Sequence, residues 1–422
     1  MNVLSKWNRN FGFINGLGLV LISICFLFMH LNSKPAQTQL TYLPMLLPLF
    51  FLLPLRKEIY KAEIQFLILS SLIFISSLIS YGVQGDIFTQ DFRSHWIYLL
   101  AFGVFSVLIH TKITKNYLYT LVVLSAALVL YNVFFEYFNN GSRGWQTHGK
   151  PIFFGNIALT TGLISLVLSS DKSQSLVVRI LLLLAAVAGI AGSIWSQTRG
   201  GWIFLILFFG VFIFSQIITA QNKKKAILLA SGSLITLCLI ALPFSQKIES
   251  RINHGYSNIE NYFSGGNANT SLGLRFEFWR VSIEQFKDNP IIGTARTGFL
   301  SKKDQMLSEN NLASSAKSYE HAHSDLFWTM GTKGLLGLFS LYGLYLFLLR
   351  FYYISSQSRE VRFYALSGLT VVTGYMVYGL SESFFSMKLG IGYFIIINLV
   401  LIRLISLTKV GSDKPLVLFN RE

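Results

Sequence analysis

Residues 177–196 read VVRILLLLAAVAGIAGSIWS, a run in which Arg179 is the only charged side chain. A helix of about 20 predominantly apolar residues is long enough to cross the hydrocarbon core of a bilayer. The chain of 422 residues is 52% hydrophobic and only 13% charged, whereas soluble domains carry about 25% charged residues. The sequence therefore predicts an all-α integral membrane protein whose surface contacts membrane lipids.

The same pattern recurs on both sides of this run. Segments that are long and apolar enough to span a membrane lie at 11–30, 39–55, 63–83, 95–111, 117–138, 152–170, 177–196, 200–220, 226–244, 331–352, 363–385 and 389–408. We predict about 12 transmembrane helices within a single polytopic membrane domain, residues 1–422. The basic residues Lys6 and Arg9 precede the first segment, as basic residues precede the apolar stretch of a secretory signal peptide. No small-residue cleavage site follows the segment, so we expect it to be retained as the first span.

Lysine and arginine residues concentrate in alternate loops, as in the three lysines at 223–225. Cytoplasmic loops of membrane proteins are enriched in these residues, so both termini are predicted to be cytoplasmic. The long stretch 245–325, between predicted spans 9 and 10, then forms a large extracytoplasmic loop. Within it Phe276, Trp279, Ile283 and Phe286 recur at near-helical spacing, which predicts an amphipathic helix near the membrane surface.

The net charge of +16 does not indicate a nucleic-acid partner. Most basic residues lie in short clusters between apolar runs, where they act as topology signals. Cys25 and Cys238 are the only cysteines and each lies within an apolar run, so neither a disulfide framework nor a thiolate metal site is predicted.

The first candidate site is the turn SQTRGGW at 196–202. Its two glycines allow the backbone to approach a ligand, and Arg199 lies near a helix N-terminus, where an anion is favoured. A guanidinium group can bind phosphate oxygens through two parallel hydrogen bonds. Alternatively, Arg199 extends towards lipid headgroups beside an interfacial tryptophan. The residues alone leave both interpretations open.

The second candidate site is the stretch RFEFWR at 275–280. Arg275 and Trp279 are four residues apart and share a helix face, so a guanidinium group and an aromatic ring could bind a phosphate and a sugar together. The alternative is a packing pair that only anchors the helix.

The third candidate site is EHAHSDL at 320–326. A histidine that enters a helix N-terminus has its charged form disfavoured by the dipole, which leaves a neutral imidazole suited to general base catalysis. His321 and His323 could instead bind a metal, but no further Cys or His ligand lies nearby and alternate residues of a helix point apart. We predict His323 as the base, and neither a metal nor any other cofactor.

Acidic residues are absent from two kinds of position where particular functions would need them, as pairs in the extracytoplasmic loops and singly at the centres of the predicted spans. No Asp-x-Asp pair occurs in a predicted extracytoplasmic loop, so a divalent ion that bridges a diphosphate has no carboxylate ligands there. Glu136 and Glu382 lie near the outer ends of predicted spans rather than at their centres. Ion-coupled transport, which uses ionisable groups at mid-membrane, is therefore disfavoured.

Together these motifs resemble a known superfamily. His323-Ser324, followed after nine residues by GLLG at 334–337, resembles the histidine-to-glycine motif of bacterial O-antigen ligases and their relatives, the O-antigen polymerases and O-linking oligosaccharyltransferases. WSQTRG at 195–200 resembles the first arginine motif of the superfamily, and LRFEFW at 274–279 resembles the second. The resemblance covers about residues 190–340. Ser324 stands where many relatives have asparagine.

The resemblance implies a GT-C-like membrane glycosyltransferase of the Gram-negative inner membrane whose active site faces the periplasm. Its donor would be a glycan linked to undecaprenyl diphosphate, and a ligase would transfer it to a sugar of the lipid A-core acceptor by an inverting, metal-independent step. His323 would be the catalytic base. Arg199 and Arg275 would bind the diphosphate, and Trp279 would assist in substrate binding.

Three activities remain open within these expectations. Ligase is favoured over O-antigen polymerase and protein O-oligosaccharyltransferase because the chain ends about fourteen residues after its last predicted span, whereas the last of these often carries a further periplasmic region. From a different class, a polytopic transporter of lipid or glycan is the alternative.

Overall fold

The protein is described by a computed structural model. The described residues are 16–27, 29–30, 58–87, 89–111, 113–140, 151–219, isolated residues between 224 and 242, 245–266, 268–408 and 416–417.

Helices make up most of this part of the chain. Their bounds are α1 (Gly16–Leu27), α2 (Lys61–Val83), α3 (Gln90–Arg93), α4 (Leu100–Leu108), α5 (Lys115–Asn140), α6 (Pro151–Ser169), α7 (Leu176–Trp195), α8 (Arg199–Thr219), α9 (Ser245–Phe263), α10 (Gly273–Asp288), α11 (Ala295–Ser308), α12 (Asp325–Ser356), α13 (Arg362–Tyr378) and α14 (Lys388–Thr408). Short 3₁₀ helices lie at Ser94–Leu99, Ser314–Ser318 and Phe384–Ser386. Two-residue strands β1 (Glu58–Ile59) and β2 (Leu416–Val417) pair antiparallel.

The protein is a helical membrane protein. Within the described residues, six helices are long and apolar enough to cross a membrane, namely α2, α5, α6, α7, α12 and α14. The predicted spans at 39–55 and, for the most part, 226–244 lie outside the described residues. The number of twelve spans, the single membrane domain and the extracytoplasmic position of residues 245–325 remain predictions.

Three predicted spans differ from the helices observed. The segment 95–111 begins as a 3₁₀ helix, so its α-helical part, α4, is short. The segment 331–352 lies within α12, which begins six residues earlier at Asp325. The segment 363–385 stops being α-helical after Tyr378, because the carbonyl of Gly379 accepts the backbone N–H of Asp325 at 2.7 Å instead of continuing the helix.

The centre of the molecule is formed by α6 and α14, of which 89% of the most apolar stretch is buried in each case. α7 lies against α6 through small residues. A Cβ atom added to Gly189 would lie 2.5 Å from the carbonyl oxygen of Ala158 and 2.6 Å from Cα of Gly162. Such close backbone approach is typical of helix packing in membranes. It fixes the end of α7, where the turn that carries Arg199 begins.

A break in α12 connects this helix to the segment after α10. Gly334 has φ 60° and ψ −155°, a conformation that only glycine adopts readily. The backbone N–H groups of Leu335 and Leu336 donate to the carbonyls of Pro290 and Ile291 at 2.8 and 3.0 Å. The glycine of the histidine-to-glycine motif therefore holds the loop of α10 against the helix that His323 precedes.

We expect Gly334→Ala to destabilise the protein. The strained φ alone costs about 1–3 kcal/mol, and the added Cβ would lie 2.6 Å from backbone atoms of Pro290 and Ile291. The melting temperature of the purified protein in detergent measures the effect. Gly210→Ala in α8 is the matched control, because no atom lies within 4 Å of its added Cβ. Equal melting temperatures for the Gly334→Ala variant and the wild type would contradict the prediction.

Candidate active site

His323 lies two residues before α12, in a backbone turn that the hydrogen bonds of the next two residues hold in place. Its φ of 49° is in the left-handed region, which is uncommon for residues other than glycine. The following residues fix this turn, since the Ser324 hydroxyl and the Asp325 backbone N–H both donate to the carbonyl of Gly379, at 3.1 and 2.7 Å. The segment after α13 therefore determines where the His323 side chain projects.

The imidazole of His323 contacts a buried carboxylate. Nδ1 lies 3.2 Å from Oε2 of Glu382, and the two side chains are 17% and 2% exposed. The other carboxylate oxygen of Glu382 accepts the backbone N–H of Ser383 at 3.1 Å. A carboxylate can accept a hydrogen bond only if Nδ1 carries the hydrogen, and in the neutral ring this tautomer leaves the lone pair of Nε2 available to take a proton. This arrangement suits a general base.

Aromatic rings surround the imidazole. The ring centroids of Phe278, Tyr319 and His321 lie 6.0, 5.7 and 3.9 Å from that of His323. The backbone N–H of His323 also donates to Nδ1 of His321 at 3.3 Å. Phe278 belongs to α10, so the His323 segment packs directly on the helix that carries Arg275.

Arg275 lies in the same electrostatic environment as Glu382. Burial lowers the pKa of the Arg275 guanidinium, and the neighbouring negative charge of Glu382 acts in the opposite direction. Nε of Arg275 is buried and has no hydrogen-bond partner among the described residues. An arginine remains charged in such surroundings. A partly buried cation therefore lies within electrostatic range of the carboxylate that contacts His323, and its Nε–H group can still donate a hydrogen bond.

Arg199 is the electrostatic neighbour of Arg275. It begins α8, and the positive charges of Arg275 and Arg251 both act on it. Its Nη1 atom is buried and, among the described residues, has no hydrogen-bond partner. Two guanidinium groups with unused donors thus lie near one another, which is an arrangement that an anionic ligand would stabilise.

The turn at Arg199 also packs against the Glu382 segment. A Cβ atom added to Gly200 would lie 2.7 Å from Oγ of Ser381. The turn that carries Arg199 and the segment that carries Glu382, the contact of His323, are therefore neighbours in the fold.

Trp279 packs against other aromatic side chains of the protein. Its ring stacks on Phe327 with centroids 4.7 Å apart and planes 14° apart, and it meets the edge of Phe276 at 5.3 Å. These contacts hold α10 against α12, which favours the packing interpretation. A role in substrate binding stays a prediction.

The predicted amphipathic helix is present as α10, but its predicted apolar stripe is not the face that it buries. The buried apolar side chains are those of Leu274, Phe278 and Val281, whereas Ile283 of the predicted stripe is 39% exposed. Packing against α11 and α12 therefore uses a different face of the helix. Its position relative to a membrane stays a prediction.

In the part of the chain that the structure describes, one set of side chains could bind a metal ion. The donor atoms of His321, His323 and Glu382 all lie within 4.8 Å of one another. The sequence argument against a metal relied on the lack of a third ligand near the two histidines, and the fold provides Glu382. The neighbouring cation Arg275 opposes a second positive charge at this place. We retain the prediction of a metal-independent site, and a chelator tests it below.

Sequence reasoning missed Glu382 and Arg251 as members of this site. Glu382 was placed near the outer end of a predicted span, and the signal that could have identified it is an acidic residue between two serines shortly after a glycine. Arg251 lies in no motif. In the structure its Nε and Nη2 atoms donate to Oε1 of Gln197, two residues before Arg199, at 3.2 and 3.1 Å.

Comparison with known proteins agrees with this geometry. Residues 184–342 match the family model described as O-antigen ligase, and Arg199, Arg275 and His323 all lie inside the match. The chain is 28% identical over 389 residues to an uncharacterized protein of Haemophilus influenzae, covering 88% of this chain and 94% of that protein. It is 25% identical over 191 residues to an O-antigen ligase of Escherichia coli, covering 44% of this chain and 42% of that protein. The resemblance inferred from the three motifs is thereby confirmed over residues 184–342, the region that matches the O-antigen ligase family model.

Proposed function

We propose that this protein is an O-antigen ligase, a glycosyltransferase that moves a glycan from an undecaprenyl-diphosphate carrier to a sugar hydroxyl of lipid A-core. The observation that carries the proposal is the contact of His323 with the buried carboxylate of Glu382, whose charge also acts on Arg275, the electrostatic neighbour of Arg199. A base with a free ring nitrogen and two cations with unused donors are the groups that transfer from a diphosphate requires.

In the proposed step, Nε2 of His323 removes the proton of the acceptor hydroxyl while its oxygen attacks the anomeric carbon of the glycan. The bond from that carbon to the diphosphate oxygen breaks, the electron pair leaves with the diphosphate, and the configuration inverts. Arg275 and Arg199 stabilise the negative charge that develops on the leaving group. Glu382 orients the imidazole and stabilises it when it is protonated.

The predicted topology places this reaction at the periplasmic face of the Gram-negative inner membrane, with both termini in the cytoplasm. A lipid-linked donor is confined to the bilayer, so an active site at the outer ends of the spans lets the diphosphate reach the arginines while the lipid tail stays in the membrane.

A reconstituted assay tests the proposal. The purified protein in liposomes receives a lipid-diphosphate glycan together with core lipid, a second lipid-linked glycan or an acceptor protein. Glycan found on core lipid supports the ligase. Extension of the lipid-linked glycan would identify a polymerase, and a glycosylated protein would identify a protein O-glycosyltransferase. Movement of the lipid-linked glycan across the liposome membrane without any transfer would identify a transporter.

We expect transfer to continue in excess chelator at a rate within about twofold of the untreated enzyme, because two guanidinium groups can neutralise the leaving group without a divalent cation. The measurement is the initial rate in the same assay after prolonged exposure to the chelator. Loss of activity that added divalent ions restore would instead assign His321, His323 and Glu382 as metal ligands.

A further inference from the structure

Helix α9 lies over the arginine pair and contributes a third cation. Gly255 of α9 is buried, and a Cβ atom added there would lie 3.0 Å from Nη1 of Arg199. Arg251 is four residues before Gly255 and therefore lies on the same helix face, one turn away. This position agrees with the electrostatic effect of Arg251 on Arg199. The guanidinium groups of Arg275, Arg199 and Arg251 are thus successive neighbours.

The charge of Arg251 is not neutralised within the described part of the chain. Its hydrogen bonds go to the amide oxygen of Gln197, which is uncharged, and none of the ion pairs of the described residues includes Arg251 or Arg199. Like charges at close range repel, more strongly where water is partly excluded. An anion with more than one charged group would relieve this repulsion.

Arg251 also lines an open cleft of about 450 Å³. The other lining residues are Gln197, Gln246, Ser250 and His254. Hydroxyl, amide and imidazole groups around a guanidinium can all donate hydrogen bonds to phosphate oxygens, and the cleft is within the size range of ligand sites, roughly 300–1,000 Å³.

The order of the charged groups matches the order of groups in a lipid-linked donor. His323 contacts Glu382, and electrostatic effects link Glu382 to Arg275, Arg275 to Arg199 and Arg199 to Arg251. The glycan must lie at the base and the lipid at the opposite end of the diphosphate. Next to Arg251, α9 exposes Ile252 and Tyr256, which are 58% and 71% accessible. An apolar chain would therefore find apolar side chains next to the last cation.

We propose that Arg251 binds the lipid-proximal phosphate of the diphosphate carrier, so that α9 closes the donor site on its lipid side. This inference rests on the proposed function and adds a binding residue that the three motifs do not contain. Arg251 retains the carrier and takes no part in proton transfer.

The test measures binding of geranylgeranyl diphosphate to the full-length protein in detergent. We expect Arg251→Gln to weaken binding about tenfold or more, since a charged hydrogen-bond pair is lost, and Arg251→Lys to weaken it less because the charge remains. Lys287→Gln on α10 is the matched control, because it removes one exposed cation that pairs with Glu284 and does not line the cleft. Melting temperatures of all variants identify any loss that is due to unfolding.

The outcomes separate this inference from the proposed function. If Arg199→Gln weakens binding and a folded Arg251→Gln variant does not, Arg251 has no role in the donor site and the proposed function stands. If neither substitution weakens binding, both proposals fail. Association with phosphatidylglycerol should be the same for Arg251→Gln and the wild type, and an equal loss for this lipid would assign Arg251 to general headgroup binding and overturn the inference.

Discussion

His323→Ala is expected to lower glycan transfer by about 10²–10⁴-fold, the range of a lost general base, while the protein still inserts into the membrane. The acceptor hydroxyl then has no group to take its proton, because Nε2 is the free nitrogen of the ring that Glu382 orients. The measurement is the initial rate of transfer to core lipid by the reconstituted variant.

The left-handed backbone conformation of residue 323 makes a second variant necessary, because the substitution by alanine could also affect folding. With φ 49°, alanine at this position adds strain, whereas asparagine tolerates the left-handed region. His323→Asn should therefore keep the melting temperature of the wild type and still lose transfer. Turnover by either variant at the rate of the wild type would remove His323 from the mechanism.

Glu382→Gln tests whether Glu382 positions the imidazole of His323. The amide can still occupy the space beside Nδ1 but no longer stabilises a protonated imidazole. The turnover number should fall by a smaller factor than for His323→Ala, and the KM for the lipid-linked donor should stay close to that of the wild type. A rise in the donor KM alone would instead place Glu382 in donor binding.

Arg275→Gln is expected to lower the turnover number by about 10²–10³-fold, as is typical when one stabilising donor of a developing charge is removed. Arg275→Lys should recover only part of this loss, because an ammonium group cannot form the two parallel hydrogen bonds of a guanidinium. Turnover numbers with saturating donor measure both effects. Transfer by Arg275→Gln at nearly the wild-type rate would contradict the assignment of Arg275 to the leaving group.

Stability must be measured in the same series, because Arg275→Gln leaves the buried carboxylate of Glu382 without its neighbouring cation. An uncompensated buried charge is strongly destabilising. Adding Glu382→Gln to Arg275→Gln removes that charge and should raise the melting temperature again, but it should not restore transfer. Recovery of transfer in the double variant would show that Arg275 acts through folding and not on the diphosphate.

The bounds of individual helices were predicted best by the length of each apolar run. The segment predicted at 177–196 is α7 at Leu176–Trp195, and the segment predicted at 389–408 is α14 at Lys388–Thr408. Both boundaries agree within one residue. The length of an apolar run is a local property of the sequence, and the thickness of the bilayer sets how long a spanning helix must be. The prediction was wrong for the end of α13, where the predicted segment continues to residue 385 but the carbonyl of Gly379 accepts hydrogen bonds from Ser324 and Asp325.

Composition and hydrophobic length by themselves indicate a helical membrane protein, and the order of its arginine and histidine motifs gives its resemblance to the O-antigen ligases, because both are recorded in residues close together along the chain. The meeting of those motifs is a property of the fold alone. Glu382 is 59 positions from His323, and Arg251 reaches Arg199 only because Gly255 lets α9 lie against it. Contacts between such distant residues depend on how helices pack, and local sequence patterns do not encode that packing.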